Sequence, residues 1–470
     1  MLILQVTNGF PPTATAGVEQ YTHQLSRGIA TRHDLRIFCR ESAPQHADYD
    51  FLDGQYDGLQ VRRVVNDFQH ASRVQDYYLD RRIESIFEQT LNEWHPDLVH
   101  FQHCIGLSAS LLEVAARASI PHLLTLHDYW FLCSRVQLLH RQGYICPGPL
   151  ADVDCHDCTM SADSFLGLLK GTRLFEFLRT HVNDSIKQRI LGVLSRTPLS
   201  LLPVRREQAI LPYRERHRYL LGLLGNVPLI LTPSRFVRDL YVKHGVPESR
   251  IQALPLGLRL DPWHTASPTQ PDADSGLRVG YLGSLLRHKG VDTLIRAFRL
   301  LQAPGSTLKI YGFALPSDPF GAHLRKLASQ DMRVQLMGRY DQKDLPSILG
   351  QMDVLVIPST WHETFSLVAR EGLLSGTPVI ASEIGALPEV INSGQNGLLV
   401  PPGDVDALHG ALHNLSADPA LLAHLREGAI LSAKEIKSME DHVREVDLIY
   451  QALVSNSRGS VTTGASSLAT

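Results

Sequence analysis

Short apolar runs alternate with stretches of helical periodicity along most of the chain. LILQVT, LRIFCR, LQVRRVV, LVHF, PHLLT and LILT in the first half, and LRVGYL, TLKIYG, RVQLMG and DVLVIP in the second, have the length and β-branched content of buried parallel strands. Between them GVEQYTHQLSRGIA, RRIESIFEQTLNEW, RFVRDLYVKHG and VDTLIRAF repeat apolar residues at three- and four-residue spacing. Strand–helix alternation of this kind predicts α/β domains with doubly wound parallel sheets, and it occurs twice. The pattern predicts a Rossmann-like domain over residues 1–260, interrupted by an insertion at about 133–225, and a second over 276–430. DPWHTASPTQPDADSG between them has linker composition. A C-terminal helix over 431–455 is expected to return to the first domain, with residues 456–470 as a disordered tail.

The second domain is organised around Pro358–Pro378, PSTWHETFSLVAREGLLSGTP. The strand DVLVIP turns abruptly there into the helical pattern TFSLVAREGLL. A helix start leaves backbone N–H groups free and carries the positive end of the helix dipole, so Ser366, Leu367 and Val368 form a candidate anion site, suited to a diphosphate. Glu363 and Glu371 bracket the turn, and eight positions along a helix would place them about 80° apart. On one reading Glu371 bonds ribose hydroxyls and Glu363 faces a sugar beyond the diphosphate. On the other, one acidic residue suits a helix N-terminus and the second is solvated. Further back, Gly283 permits close backbone approach, Lys289 or Arg287 could neutralise a diphosphate, and Gly17 sits where a Gly/Pro-rich loop enters a helix. His127 and Asp128 end a strand, where polar residues of α/β sheets face the ligand crevice.

HETFSLVAREGLLSGTPVIAS, followed by GALPEVI and NGLLVPPGD, resembles the donor-binding half of the family 4 retaining glycosyltransferases, and Glu363-x7-Glu371 matches their signature pair. The resemblance extends to the N-terminal loop and the His-Asp segment, and leaves out roughly residues 135–225. It implies the glycosyltransferase-B architecture, two Rossmann-like domains facing across a cleft. It also implies transfer of a sugar from a nucleotide-diphosphate sugar to a hydroxyl of a glycan, lipid-linked or small-molecule acceptor. It further implies retention at the anomeric carbon and no requirement for a catalytic metal. His127 would contact the donor sugar, Gly17 would approach the diphosphate, and Gly338 would lie by the nucleobase. Lys289 aligns with the family lysine. Ser284 stands where the family commonly has Arg, which leaves Arg287 as a substitute, and Leu256 stands where an Asn is usual. A silent nucleotide-sugar-binding scaffold subunit and a nucleotide-sugar epimerase are the rival readings.

Composition changes this picture in two places. A net charge of −3 gives no pull toward nucleic acid, and the N-terminus lacks a signal pattern, so a cytoplasmic protein is expected. Yet residues 165–220 carry eleven Lys/Arg against four Asp/Glu, with interleaved Leu and Phe. That is the pattern either of a helical cap with a solvated basic face or of a peripheral contact with an anionic membrane. Four of the six cysteines, Cys133, Cys146, Cys155 and Cys158, fall within this insertion. They are expected either to hold a structural zinc, ahead of an iron–sulfur cluster, or to be ordinary buried thiols. Asp152-Val153-Asp154 lies away from the diphosphate residues and is not assigned a metal.

Overall fold

The computed structural model describes residues 1–149, 155–159, 206–263, 276–315 and 317–464. The chain divides into two compact units. Met1–Thr232, Leu240–Gln252 and Val446–Thr470 form the first; Pro233–Asp239 and Ala253–Glu445 form the second.

The first unit holds β1 (Leu2–Thr7), β2 (Asp34–Glu41), β3 (Phe51–Tyr56), β4 (Leu59–Val65), β5 (Leu98–Phe101), β6 (His122–Thr125), β7 (Ile230–Thr232) and β8 (Ile251–Ala253). Their order across the sheet is β3-β4-β2-β1-β5-β6-β7-β8. β1, β2, β4, β5, β6 and β7 run parallel, and β3 returns antiparallel to β4 through Asp57-Gly58, both at positive φ as a tight hairpin requires. Both faces of the parallel strands are covered, so β5 and β6 are buried at every position. Their polar side chains are bonded to one another and to a distant helix. His100 accepts or donates at 2.8 Å to Thr125 Oγ1 and at 2.6 Å to Tyr450, and Gln5 Nε2 donates to the Tyr450 hydroxyl at 2.9 Å. Tyr450 lies on the helix Met439–Gly464, which therefore anchors to this sheet from Val446 onward.

That helix departs from the expected boundaries. A separate helix covers Pro419–Ala433, and Ser438 opens the last one by accepting from the Asp441 amide. Residues 456–464, expected as tail, continue it, because extending an existing helix needs no new nucleus despite the Gly, Ser and Thr content.

The second unit is a six-stranded, wholly parallel sheet of β9 (Arg278–Leu282), β10 (Thr307–Tyr311), β11 (Val334–Gly338), β12 (Val354–Ile357), β13 (Val379–Ser382) and β14 (Gly397–Val400), in the order β11-β10-β9-β12-β13-β14. Alternate residues feed two cores. Val354 and Val356 pack with Phe298, Ile310 and Leu412 on one face, and Leu355 and Ile357 with Leu373 and Val379 on the other. Strand order reverses between β9 and β12, and between β1 and β5 in the first unit. Parallel sheets bind ligands outside the carboxyl ends of the strands at such points.

The insertion is described only in part, and residues 165–205 of the basic stretch lie outside the described residues. The helix Arg206–Leu224 turns Tyr213, Arg216, His217 and Leu220 inward at helical spacing, while Arg214 and Arg218 are exposed. Among the described residues no helix is long and apolar enough to cross a membrane.

Candidate active site

The loops leaving β9 and β12 are locked together. Gly290 has φ +68, and a Cβ there would fall 1.8 Å from the Pro358 carbonyl oxygen, so only glycine allows the two backbones to meet. The Thr360 amide donates to the His288 carbonyl at 2.9 Å across the same seam. This contact carries Lys289, at the end of a 3-10 turn, to the residues that follow β12.

Glu363 receives it. Its Oε1 accepts from Lys289 Nζ at 2.8 Å, from Ser359 Oγ at 2.6 Å and from Trp361 Nε1 at 3.1 Å. Lys289 also stands 4.9 Å over the Trp361 ring. Burial would raise the Glu363 carboxyl, but the Lys289 charge and the three donors outweigh it and hold the group below the usual range. Glu363 is therefore an ionised, nearly buried carboxylate. Its backbone is clamped in turn: the Ala386 amide donates to its carbonyl at 2.8 Å, and a Cβ on Gly385 (φ +62) would sit 2.5 Å from it.

Glu371 is a different group. It lies on the helix Leu367–Leu374, accepts from Gln342 Nε2 at 3.0 Å, and burial pushes its carboxyl up to about 7. The eight-residue angular argument from the sequence does not apply. Glu363 lies in the loop ahead of the helix, and Ser366 (φ +58) breaks the path between them. Ser366 caps the helix by accepting from the Ala369 amide, which leaves the Leu367 and Val368 amides facing outward from its N-terminus. Arg370, unnoticed in the sequence, fastens this turn. Its guanidinium donates to the Phe365 and Ser366 carbonyls and lies 3.5 Å over the Phe365 ring, and burial lowers it to about 10.

Gly283 (φ +145) and Gly338 (φ +81) both adopt conformations that favour glycine. They are joined through Gly312, whose amide donates to the Gly338 carbonyl at 2.8 Å and whose added Cβ would meet the Gly283 carbonyl at 2.1 Å. The ends of β9, β10 and β11 thus form one continuous rim with Lys289, Glu363 and Glu371. Arg287 is turned elsewhere, 5.0 Å over the Phe320 ring.

In the first unit, Gly17 opens the helix Gly17–Ala30, and nothing lies within 4 Å of a Cβ placed on it. His127 bonds Gln102 Oε1 through Nε2 at 2.8 Å, with the Tyr21 ring 5.1 Å away. Asp128 is half-buried; desolvation would raise its carboxyl, but His103 and the Trp130 amide, which bond it, hold it below the usual carboxylate range. His100, near the end of β5, is wholly buried and tied to Tyr450. Gln102, Ser359, Trp361 and Gln342 escaped the sequence reading; neutral polar side chains in loops have no pattern that marks them.

The four insertion cysteines line one void of about 20 Å³ together with Leu132, Ser134 and Leu138. Among the described residues no three His, Cys, Asp or Glu side chains are already arranged to hold a metal ion. Asp152 and Asp154 lie outside the described residues.

Solved structures share this architecture along nearly the whole chain. Sucrose-phosphate synthase from Thermosynechococcus elongatus matches with a TM-score of 0.63 at 19% identity, over 97% of this chain and 99% of that one. Anabaena HepE in complex with UDP matches at 0.65 and 16%, over 96% and 100%. The fold is of the glycosyltransferase-B type. Two family models match, Glycosyltransferase Family 4 over residues 15–146 and Glycosyl transferases group 1 over 276–418, and the chain belongs to the family 4 glycosyltransferases. A glycogen synthase from Mycobacterium tuberculosis is 36% identical over 143 residues, 30% of this chain. The match spans only 34% of that relative's own length.

Proposed function

We propose that this protein transfers a sugar from a nucleotide-diphosphate sugar to a hydroxyl acceptor, with retention at the anomeric carbon. The observation that carries the reading is the Lys289–Glu363 pair, 2.8 Å apart beside the Leu367–Leu374 helix start, at the point where the second sheet reverses its strand order. Glu363 holds one of the three ammonium hydrogens and leaves the others for a phosphate oxygen. As the glycosidic bond to the diphosphate breaks, negative charge grows on the leaving oxygen. The Lys289 ammonium and the Leu367 and Val368 amides meet that charge, which is the role a metal ion fills in other transferases. The diphosphate stays on the face from which the acceptor arrives and can take its proton, so no protein nucleophile is needed. Glu371 accepts from ribose hydroxyls, and the backbone around Gly338 reads the base. Family resemblance assigns His127 to a hydroxyl of the transferred sugar and Gly17 to the diphosphate.

The solved relatives hold UDP and, in a starch synthase from Arabidopsis thaliana, ADP, which supports a nucleotide ligand for this rim. A thermal-shift screen against UDP-, ADP- and GDP-sugars tests the reading, since a ligand bound only by the native state raises its stability. The expected result is a shift with at least one of them, abolished in Glu371→Ala, and slow release of free sugar from that donor. No shift with any nucleotide sugar would end the proposal; a shift without hydrolysis or transfer to any hydroxyl would reduce it to a binding subunit.

A further inference from the structure

We propose that Cys133, Cys146, Cys155 and Cys158 bind one zinc ion as a tetrathiolate, which staples the loop leaving β6 to the helical turn Cys155–Thr159, itself packed on the helix Arg206–Leu224.

The backbone delivers all four thiols to one place by independent routes. Cys133 ends a turn in which its amide donates to the Tyr129 carbonyl at 2.7 Å. A bridge between Leu139 and Ile145 then folds the chain back and returns Cys146 to the same void. Cys155 and Cys158 come from a single helical turn, where residues three apart share a face. That turn is held against the longer helix by Thr159, whose hydroxyl donates to Tyr213 at 2.6 Å. The void of about 20 Å³ is lined by these thiols and otherwise by Ser134, Arg135, Thr159, Gly148 and three leucines, with no carboxylate or imidazole. An all-sulfur donor set selects zinc or iron–sulfur chemistry, and a space this small suits one ion rather than a multi-iron cluster.

The surroundings are built for negative charge. The Gly148 amide donates to Cys146 Sγ at 3.4 Å in a Cys-Pro-Gly turn, and Arg135 Nη1 lies 3.9 Å from Cys158 Sγ. Arg216 is 3% exposed, donates through Nη2 to the Trp130 carbonyl, and stands within electrostatic reach of Cys133 and Cys155. Among the described residues its Nη1 has no hydrogen-bond partner, and neither does the buried Ser134 Oγ in the wall of the void. A lone buried guanidinium is costly. Four thiolates around Zn²⁺ carry two net negative charges, the counter-ion that this arginine lacks among the described residues. Each thiol gives up its proton to solvent as its Zn–S bond forms, with no change of oxidation state. The thiols surround the void without yet converging on it. Neutral thiols gain nothing by converging; only the ion draws them in.

The test uses the full chain, expressed in zinc-replete medium and purified without chelator under reducing conditions. Elemental analysis is expected to give about one zinc per chain, released by a mercurial reagent in step with thiol modification. Cys155→Ser should lower zinc content to about a tenth or less, and Cys104→Ala, at a buried thiol elsewhere, should leave it unchanged. Arg216→Met should weaken zinc retention against a competing chelator by about tenfold. If Cys155→Ser fails to fold, the wild-type chain grown on cobalt decides: thiolate-to-cobalt charge-transfer bands with tetrahedral visible absorption support the site. Zinc-free protein with four titratable thiols, two disulfides, iron in place of zinc, or zinc retained by a soluble Cys155→Ser variant would each overturn it.

Discussion

Lys289 Nζ and Glu363 Oε1 meet at 2.8 Å although 74 residues separate them, and both side chains are largely withdrawn from water. Removing one partner of such a pair strands the other charge, which costs about 3–5 kcal/mol when both are fully buried. Ser359 and Trp361 still serve Glu363, so Lys289→Met should lower stability by roughly 2–3 kcal/mol in urea unfolding. Lys289→Met with Glu363→Gln should recover most of that loss. Turnover should fall by roughly a hundredfold or more in both variants, as for loss of a donor to a developing oxyanion. Near-normal rates in Lys289→Met would remove the lysine from the mechanism.

Glu371 should make both stability and donor affinity depend on pH. Its folded value, about 7, lies above the ordinary carboxylate value of 4.5, so the native state holds a proton that the unfolded chain has lost. That contribution is full below pH 4.5 and is lost as pH rises through 7, on the order of 3 kcal/mol in all. Glu371→Gln should flatten this part of the stability profile. Donor binding runs the other way, since an ionised carboxylate accepts better from ribose hydroxyls. Affinity measured calorimetrically with an intact nucleotide sugar should rise from pH 6 to pH 8 in the wild type and stay level in Glu371→Gln.

Two glycines should respond to alanine in opposite ways. At Gly290 the positive φ and a 1.8 Å clash with backbone oxygen must be relieved by moving the loop that carries Lys289. Gly290→Ala is expected to cost roughly 2–4 kcal/mol and to lower soluble yield. Gly17 has open space around it, so Gly17→Ala should change the melting temperature little. If a diphosphate approaches there, the same substitution should weaken donor binding about tenfold; unchanged affinity would remove Gly17 from the site.

His127 is held through Nε2 by Gln102, and that bond fixes which way the ring faces. His127→Ala should reduce turnover by about 10- to 100-fold, the worth of one hydrogen bond made in the transition state, with donor affinity nearly unchanged. Gln102→Leu should lower turnover less, because the ring loses an orienting partner. A His127→Ala variant that loses fold stability and turnover in parallel would mark the histidine as structural.

Much of this protein is legible in one dimension. Strand and helix periodicities announce two α/β units, because a parallel strand covered on both faces must be apolar throughout, and β12 is. The glycines are visible for the same local reason: a turn, a close approach or a helix start imposes its residue type within a few positions, whereas the Glu363-x7-Glu371 pair and Lys289 stand out through the family resemblance. What the chain does not reveal by itself is pairing. That Lys289 bonds Glu363 while Arg287 lies on Phe320, that His100 serves Tyr450 rather than a ligand, and that Glu363 stays ionised while Glu371 is pushed toward neutrality are all decided by which loops the sheet order places side by side. Charge state depends on burial and on partners tens to hundreds of residues away, and no local pattern encodes either.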